Sequence, residues 1–339
     1  MQYSPHEPVH RRSWMNLVAA ALPAAVAVPL GAQQVRRPTV VNGRRYLQYD
    51  VFTDKPLAGN QLAVFTDTTG LTAEQMQAMT RETKFSECTF VQPAEAAGTD
   101  VRLRIFGPAN EMQFAGHPVI GSTFALADDG AIPAGRKEFT FGLGIGPTLV
   151  ELEWQGDRLQ FAWMTQQKPV FGPTLNAPAG LAAALGIDQS ALRPGLLPQE
   201  VNCGSAFFFV PLVSRAAVDQ AVIDIRAAAA MFEAAKITRR GLFIFSTEPG
   251  PDGATCYSRM MGANEDPATG SASGPLGCYL VKHGLVPAEK AGSIVSAQGV
   301  KMGRPSRIHI KIDLAGGDIS RVRVGGTSVL VGEGRLRAS

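Results

Sequence analysis

The sequence predicts an α/β protein (α+β in its mixing of elements) made of two related halves, and three observations carry that reading. The chain has 339 residues, 45% of them apolar and 18% charged, enough for two ordinary cores. Short alternating or apolar runs suited to strands take turns with stretches of helical spacing. A segment of the first half returns in the second at a fixed separation.

The first 35 residues stand apart from the rest. Arg11 and Arg12 precede an apolar stretch from Leu17 to Leu30, and Gly31-Ala32-Gln33 supplies small residues suited to a cleavage site. That stretch is too short, and too interrupted by Pro23 and Pro29, to stay in a bilayer as a stable span. The expectation for 1–35 is an export signal, with adjacent arginines resembling a twin-arginine leader. A periplasmic or exported protein follows if the signal is real, and a cytoplasmic one otherwise.

The first half is expected over 45–150. Tyr46 to Phe52 alternates and is rich in aromatic residues, Pro56 to Asn60 offers turn residues, and Gln61 to Phe65 is a short apolar run. This order reads as strand, turn, and a second strand or short helix. Thr72 to Thr83 opens on a threonine, carries Glu and Gln early, and spaces Met76 and Met79 by three, so it predicts a helix. Strands are predicted at Thr89 to Gln92, Val101 to Phe106 and Phe139 to Phe141, with a buried helix over Pro118 to Leu126 that starts at a proline.

The second half, 151–335, has the same texture. Strands are predicted at Leu149 to Trp154, Arg158 to Trp163, Ala206 to Val210 and Leu242 to Ser246. Helices are predicted near Leu181 to Leu185 and Ala227 to Ala235, and a third from about Ala272 to His283.

Laying Gly107 to Leu126 over Met261 to Leu280 without gaps matches five positions, among them Asn110/Asn264, Glu111/Glu265 and Gly116/Gly270. In both copies an Ala-Asn-Glu turn leads to a glycine that opens an apolar helix. A glycine there lets backbone approach a ligand, and the free amides carry the positive end of the helix dipole. Two such turns facing one another could grip a small carboxylate and steady an enolate-like charge. His117 and Ser271 follow the two glycines directly. Asp266 precedes the second turn, and Glu87 stands between a predicted helix and an apolar strand, where lost hydration should raise its pKa.

Other chemistries are disfavoured. Cys88, Cys203, Cys256 and Cys278 form no Cys-x-x-Cys pair and have no histidine at zinc-ligand spacing, so no metal is indicated. A formal charge of +3 without a block of basic residues argues against a nucleic-acid partner. Gly142-Leu143-Gly144-Ile145-Gly146 opens no helix, so no nucleotide fingerprint is present, and no lysine suggests pyridoxal phosphate. No cofactor is expected.

Several segments together resemble the PhzF family of phenazine biosynthesis, in the same order. They are Asp50-Val51-Phe52-Thr53, Gly59-Asn60, Ala63-Val64-Phe65, Phe85-Ser86-Glu87-Cys88-Thr89-Phe90-Val91, Phe114-Ala115-Gly116-His117-Pro118, Glu265-Asp266-Pro267-Ala268-Thr269-Gly270-Ser271-Ala272, Gln298-Gly299 and Met302-Gly303-Arg304-Pro305. The resemblance spans roughly residues 45 to 335. It implies a diaminopimelate epimerase-like fold, two pseudo-symmetric halves each curling a mostly antiparallel sheet around a central helix, usually as a homodimer. It also implies that Glu87 moves a proton between carbons of a dihydro-hydroxyanthranilate-like acid, assisted by His117, Asp266 and Ser271. Gly116 and Gly270 are implied as amide donors to the substrate carboxylate, and Asn60 as a wall of the site.

Related epimerases place a cysteine on each helix-opening turn. Neither turn of this chain has a thiol, so a two-thiol racemase is excluded. An epimerase using Glu87 with another base, and an exported carboxylate-binding protein without catalysis, are the alternatives.

Overall fold

The computed structural model describes residues 43–238 and 240–337, so the export signal expected at 1–35 lies outside the described residues. The first stretch contains Arg44–Val51 (β1), Asn60–Phe65 (β2), Ala73–Thr83 (α1), Cys88–Pro93 (β3), Val101–Phe106 (β4), Glu111–Met112 (β5), Gly116–Asp128 (α2), Glu138–Leu143 (β6), Gly146–Gln155 (β7) and Arg158–Gln166 (β8). Then follow Val170–Thr174 (β9), Pro178–Leu185 (α3), Gln199–Asn202 (β10), Ala206–Pro211 (β11), Arg215–Gln220 (α4), Ile225–Ala234 (α5), Gly241–Ser246 (β12) and Cys256–Met261 (β13). The chain ends with Gly270–Lys282 (α6), Ile294–Gln298 (β14), Ser306–Ala315 (β15), Asp318–Gly326 (β16) and Ser328–Leu336 (β17). The segment Gln61 to Phe65, open between strand and helix in sequence, is strand.

Local chemistry fixes the helix ends. At α1 the Thr72 side chain accepts from the Gln75 amide while Gln75 Oε1 accepts from the Thr72 amide, a reciprocal cap. Helices α2 and α6 are of the other kind, apolar on every face, with each residue from Gly116 to Leu126 and from Gly270 to Leu280 buried. A helix of that composition must be wrapped by sheet.

The sheet does this twice. Its ladder runs β17–β1–β2–β3–β4–β6–β7–β8, crosses a seam to β16, and continues β15–β14–β13–β12–β11–β10–β9. Counted outward from the seam, both arms show one order of pairings: antiparallel, antiparallel, parallel, antiparallel, parallel, antiparallel, antiparallel. Parallel neighbours need a crossover, and helices supply it: α1 and α2 in the first arm, α4 with α5 and then α6 in the second. The result is the mixed, mostly antiparallel, two-half α/β architecture, with α2 packed on β1, β2 and β8 and α6 on β11, β15 and β16.

The arms do not divide at 150/151, because both residues lie inside β7. The ladder changes arm between β8 and β9, and β17, which the expected second half contained, lies against β1. Each arm thus receives its outermost strand from the chain that has just finished the other.

Candidate active site

Helices α2 and α6 meet N-terminus to N-terminus where the arms join. A Cβ at Gly116 would fall inside the backbone of Gly270 and Ser271, and one at Gly270 would sit 2.8 Å from the Phe52 ring. Close approach, rather than an unusual φ, is what requires glycine at both places. Neither helix is capped by a side chain at Ala115 or Thr269. The Thr269 hydroxyl donates instead to Asp266 Oδ2 at 2.6 Å. Two positive helix ends therefore converge with no side chain of their own neutralising them.

The titratable groups gather around this junction. Asn60, at the start of β2, places Nδ2 2.6 Å from Asp266 Oδ1, 2.9 Å from the Ala268 carbonyl and 3.1 Å from His117 Nδ1. It ties the first arm to the second. Glu87, one residue before β3, lies with Oε2 3.9 Å from His117 Nδ1, and its side chain is only 16% exposed. Glu87 Oε2 and His117 Nε2 are buried without a hydrogen-bond partner. Ser271 is buried in the first turn of α6.

Burial pushes the Glu87 carboxyl well above its usual range, and the nearby Asp266 charge adds to the rise. Asp266 is pushed up to about 6 by burial, against the hydrogen bonds from Thr269 and Asn60 that favour its anion. Burial pushes His117 down to about 3, so its imidazole is neutral at ordinary pH. Two reluctant acids thus stand beside a neutral ring. Such groups can take up and return a proton near neutrality.

Glu87, His117, Asp266, Asn60, Gly116, Gly270 and Ser271, distant in sequence, are brought together at one junction. Sequence reading missed what holds them there. Arg104 on β4 grips Glu111 with two bonds of 2.8 and 2.6 Å, and Arg259 on β13 grips Glu265 with bonds of 2.8 and 2.7 Å. The repeated glutamate is therefore a turn latch, present in both arms. Gln298 adds a further brace, donating to the Asp266 carbonyl and Thr269 Oγ1 while accepting from the Thr269 amide. The loop ahead of β2 is fixed by Arg304, which bonds Asp50 Oδ1 and the carbonyls of Ala58 and Gly59.

Cys88 faces away from the junction. It packs with Phe65, Met76, Phe90 and Phe106 under α1, near Thr83 Oγ1 at 3.2 Å, and burial raises its thiol to about 11. Across the pseudo-symmetry, Cys88 opposes Phe106 at the end of β4 as Leu242 opposes Met261 at the end of β13. The counterpart of Glu87 is then Gly241, and the Met260 side chain fills the space its Cβ would take.

Among the described residues no group of three or more His, Cys, Asp or Glu is placed to hold a metal ion. No helix among them is long and apolar enough to cross a membrane.

Two like arms that bring buried carboxyls to a pair of helix N-termini make up a fold shared with isomerases, and the relatives of this chain bear that name. The family model described as phenazine biosynthesis-like protein matches residues 49–334. The trans-2,3-dihydro-3-hydroxyanthranilate isomerase of Pseudomonas aeruginosa is 36% identical over 292 residues, covering 86% of this chain and 98% of that protein. An uncharacterized isomerase of Escherichia coli, YddE, is 28% identical over 289 residues, covering 83% of this chain and 94% of its own. Among solved structures, a PhzF-family phenazine biosynthesis protein of Bacillus anthracis aligns with a TM-score of 0.76 at 23% identity, over 87% of this chain and 99% of that one. A probable proline racemase of Agrobacterium radiobacter shares the fold at a TM-score of 0.58 and 13% identity, over 87% and 93%. The chain belongs to the phenazine biosynthesis-like (PhzC-PhzF) family.

Proposed function

We propose that the protein is a cofactor-independent isomerase that moves a proton between carbons of a small unsaturated carboxylic acid, with Glu87 as the general acid/base. The observation that carries this is the Glu87 carboxyl itself: raised by burial, one oxygen unpartnered, and 3.9 Å from a neutral His117 beside two helix N-termini. A buried, unsatisfied carboxyl is costly in a purely structural role. The first-turn amides of α2 and α6 suit the substrate carboxylate, and His117, Asp266 and Ser271 suit its remaining polar groups. Asp266, up to about 6, suits a partner that shares protons with the substrate.

Gly241 at the counterpart of Glu87, together with helix-opening turns that hold His117 and Ser271 and no thiol, favours one base working on one face over the two opposed bases an epimerase requires. The substrate class follows the Pseudomonas relatives, a dihydro-hydroxyanthranilate-like acid. A homodimer belongs to the same proposal, and light scattering of the purified protein tests it.

The central test follows trans-2,3-dihydro-3-hydroxyanthranilate in D2O by proton NMR. Conversion with solvent deuterium at a ring carbon is expected, falling at least about 100-fold in Glu87→Gln, the scale of general acid/base catalysis. Absence of conversion and exchange for this acid and related cyclic amino acids, with Glu87→Gln indistinguishable, would reject the assignment.

A further inference from the structure

Two of the four cysteines touch. Cys203 Sγ and Cys278 Sγ are 3.9 Å apart, 75 residues apart in sequence, and both are fully buried. Cys203 sits in the short turn between β10 and β11, followed by Gly204 at φ +117, while Cys278 lies on α6, the helix whose first turn holds Gly270 and Ser271. Around them pack Val201, Phe209, Phe243, Leu276 and Tyr279. The other thiols are occupied elsewhere: Cys88 beside Thr83 Oγ1 at 3.2 Å, and Cys256 against the Val295 carbonyl at 3.9 Å.

A sulfur pair at van der Waals distance must close to about 2.05 Å to bond. That movement falls on the turn holding Cys203, beside Gly204 at φ +117, and on α6. The one hydroxyl among the neighbours just named, that of Tyr279, donates to the Leu197 carbonyl at 2.9 Å, and none of those neighbours is charged.

We propose that Cys203 and Cys278 form a disulfide when the chain folds in an oxidising medium, stapling α6 to the β10–β11 turn. In the step, one thiolate attacks a small-molecule disulfide such as oxidised glutathione, releasing one reduced thiol. The second protein thiolate then displaces the other. The net change is two protein thiols to one protein disulfide, with the two electrons and two protons carried off on two reduced reagent thiols. Because both sulfurs are sealed in the finished fold, the exchange belongs to folding, before α6 docks. The inference is independent of the catalytic reading.

The test is to refold the full chain from urea in a mixture of reduced and oxidised glutathione, and in parallel in excess dithiothreitol. Four thiols per chain should titrate in denaturant after the reducing arm, and two after the oxidising arm. Non-reduced peptide mapping should join the Cys203 and Cys278 peptides, and the oxidised form should melt roughly 5–10 °C higher, as a long closed loop implies. Cys203→Ala should abolish the cross-link, while Cys88→Ala and Cys256→Ala keep it. If refolding returns no soluble chain, the native protein held in the same buffer just below its melting midpoint gives the same readout. Four titratable thiols in the oxidising arm, or a bond through Cys88 or Cys256, overturns the proposal. A bond that leaves the melting temperature unchanged overturns the staple.

Discussion

At the scale of the residue, Glu87 sets stability against chemistry. Its carboxyl is raised in the folded protein, first by burial and then by the Asp266 charge, so the folded state holds that proton more tightly than the unfolded chain does. Stability must then fall as pH rises from the ordinary glutamate range through the raised value. Glu87→Gln removes the titration. The variant is expected to melt higher than the wild type at pH 8, with the gap closing as pH drops towards 4.5, the usual glutamate value, while turnover collapses; thermal shift across pH together with the NMR assay checks both halves. Asp266→Asn should show the same sign over a narrower window, from 3.8 to about 6. A gap that widened towards low pH would mean that both carboxyls are stabilised as anions. Most of these residues were legible in sequence because polar side chains interrupt apolar runs there. Asn60 was read only as a wall of the site, since its bridge between arms depends on a contact 206 residues away. The Arg104 and Arg259 latches escaped for a definite reason: the ungapped overlay pairs residue 104 with Ser258, and one inserted residue in the first turn hides the match.

At the scale of the element, the duplicated turn offers an internal control. Arg104–Glu111 and Arg259–Glu265 are the same device, but only the second holds a turn that carries Asp266, and Arg259 also donates to the carbonyls of Val218 and Ala221. Lysine cannot reproduce a two-bond grip on a carboxylate. Arg259→Lys is therefore expected to lower kcat about 10-fold or more, in keeping with the cost of small misplacements in a site, and Arg104→Lys much less, although both lower the melting temperature. Equal kinetic effects would mean that neither latch is specific to the site. Gly116→Ala drives a methyl into the backbone of α6, which cannot retreat as a flexible side chain could. A loss of about 1–3 kcal/mol is expected from such overpacking, measurable by urea unfolding. All helices but the short α4, and strands β1, β3, β4, β6, β7 and β8 of the first arm, were readable from period and caps. Strand β15 was not among the predicted strands, although Ile308, Ile310 and Ile312 alternate inward between Arg307, His309 and Lys311. Strand β9 was not either, being short, half-exposed and broken by Gly172 and Pro173.

At the scale of the whole molecule, the division into halves was legible but its boundary was not, because strand exchange leaves no local mark. The repeat reports which residues match, whereas the ladder decides which arm they serve. After β8 the chain crosses to lay β9 on the far edge of the second arm, and after β16 it returns to lay β17 on β1. The first arm is thus incomplete without a strand encoded beyond the second, whereas β9 to β16 follow one another in the chain. Arg304, half-buried, adds a second tie, from the β14–β15 loop to the buried Asp50 of β1 and the Ala58 and Gly59 carbonyls of the β1–β2 loop. Without β17, β1 would present an open row of backbone groups on a sheet already curled around α2. A break in the chain between Gln166 and Val170 therefore leaves both outer strands, β9 and β17, in the second fragment and deprives the first of its own. Residues 43–168 produced alone are expected to be insoluble or to melt without cooperativity, because β17 is carried by 169–337. Co-expressed, the two should assemble into a soluble complex with the circular dichroism spectrum of the intact protein. If 43–168 alone unfolds cooperatively, β17 is an ornament on a self-sufficient first arm, and the exchanged strands do not hold the two helix ends together.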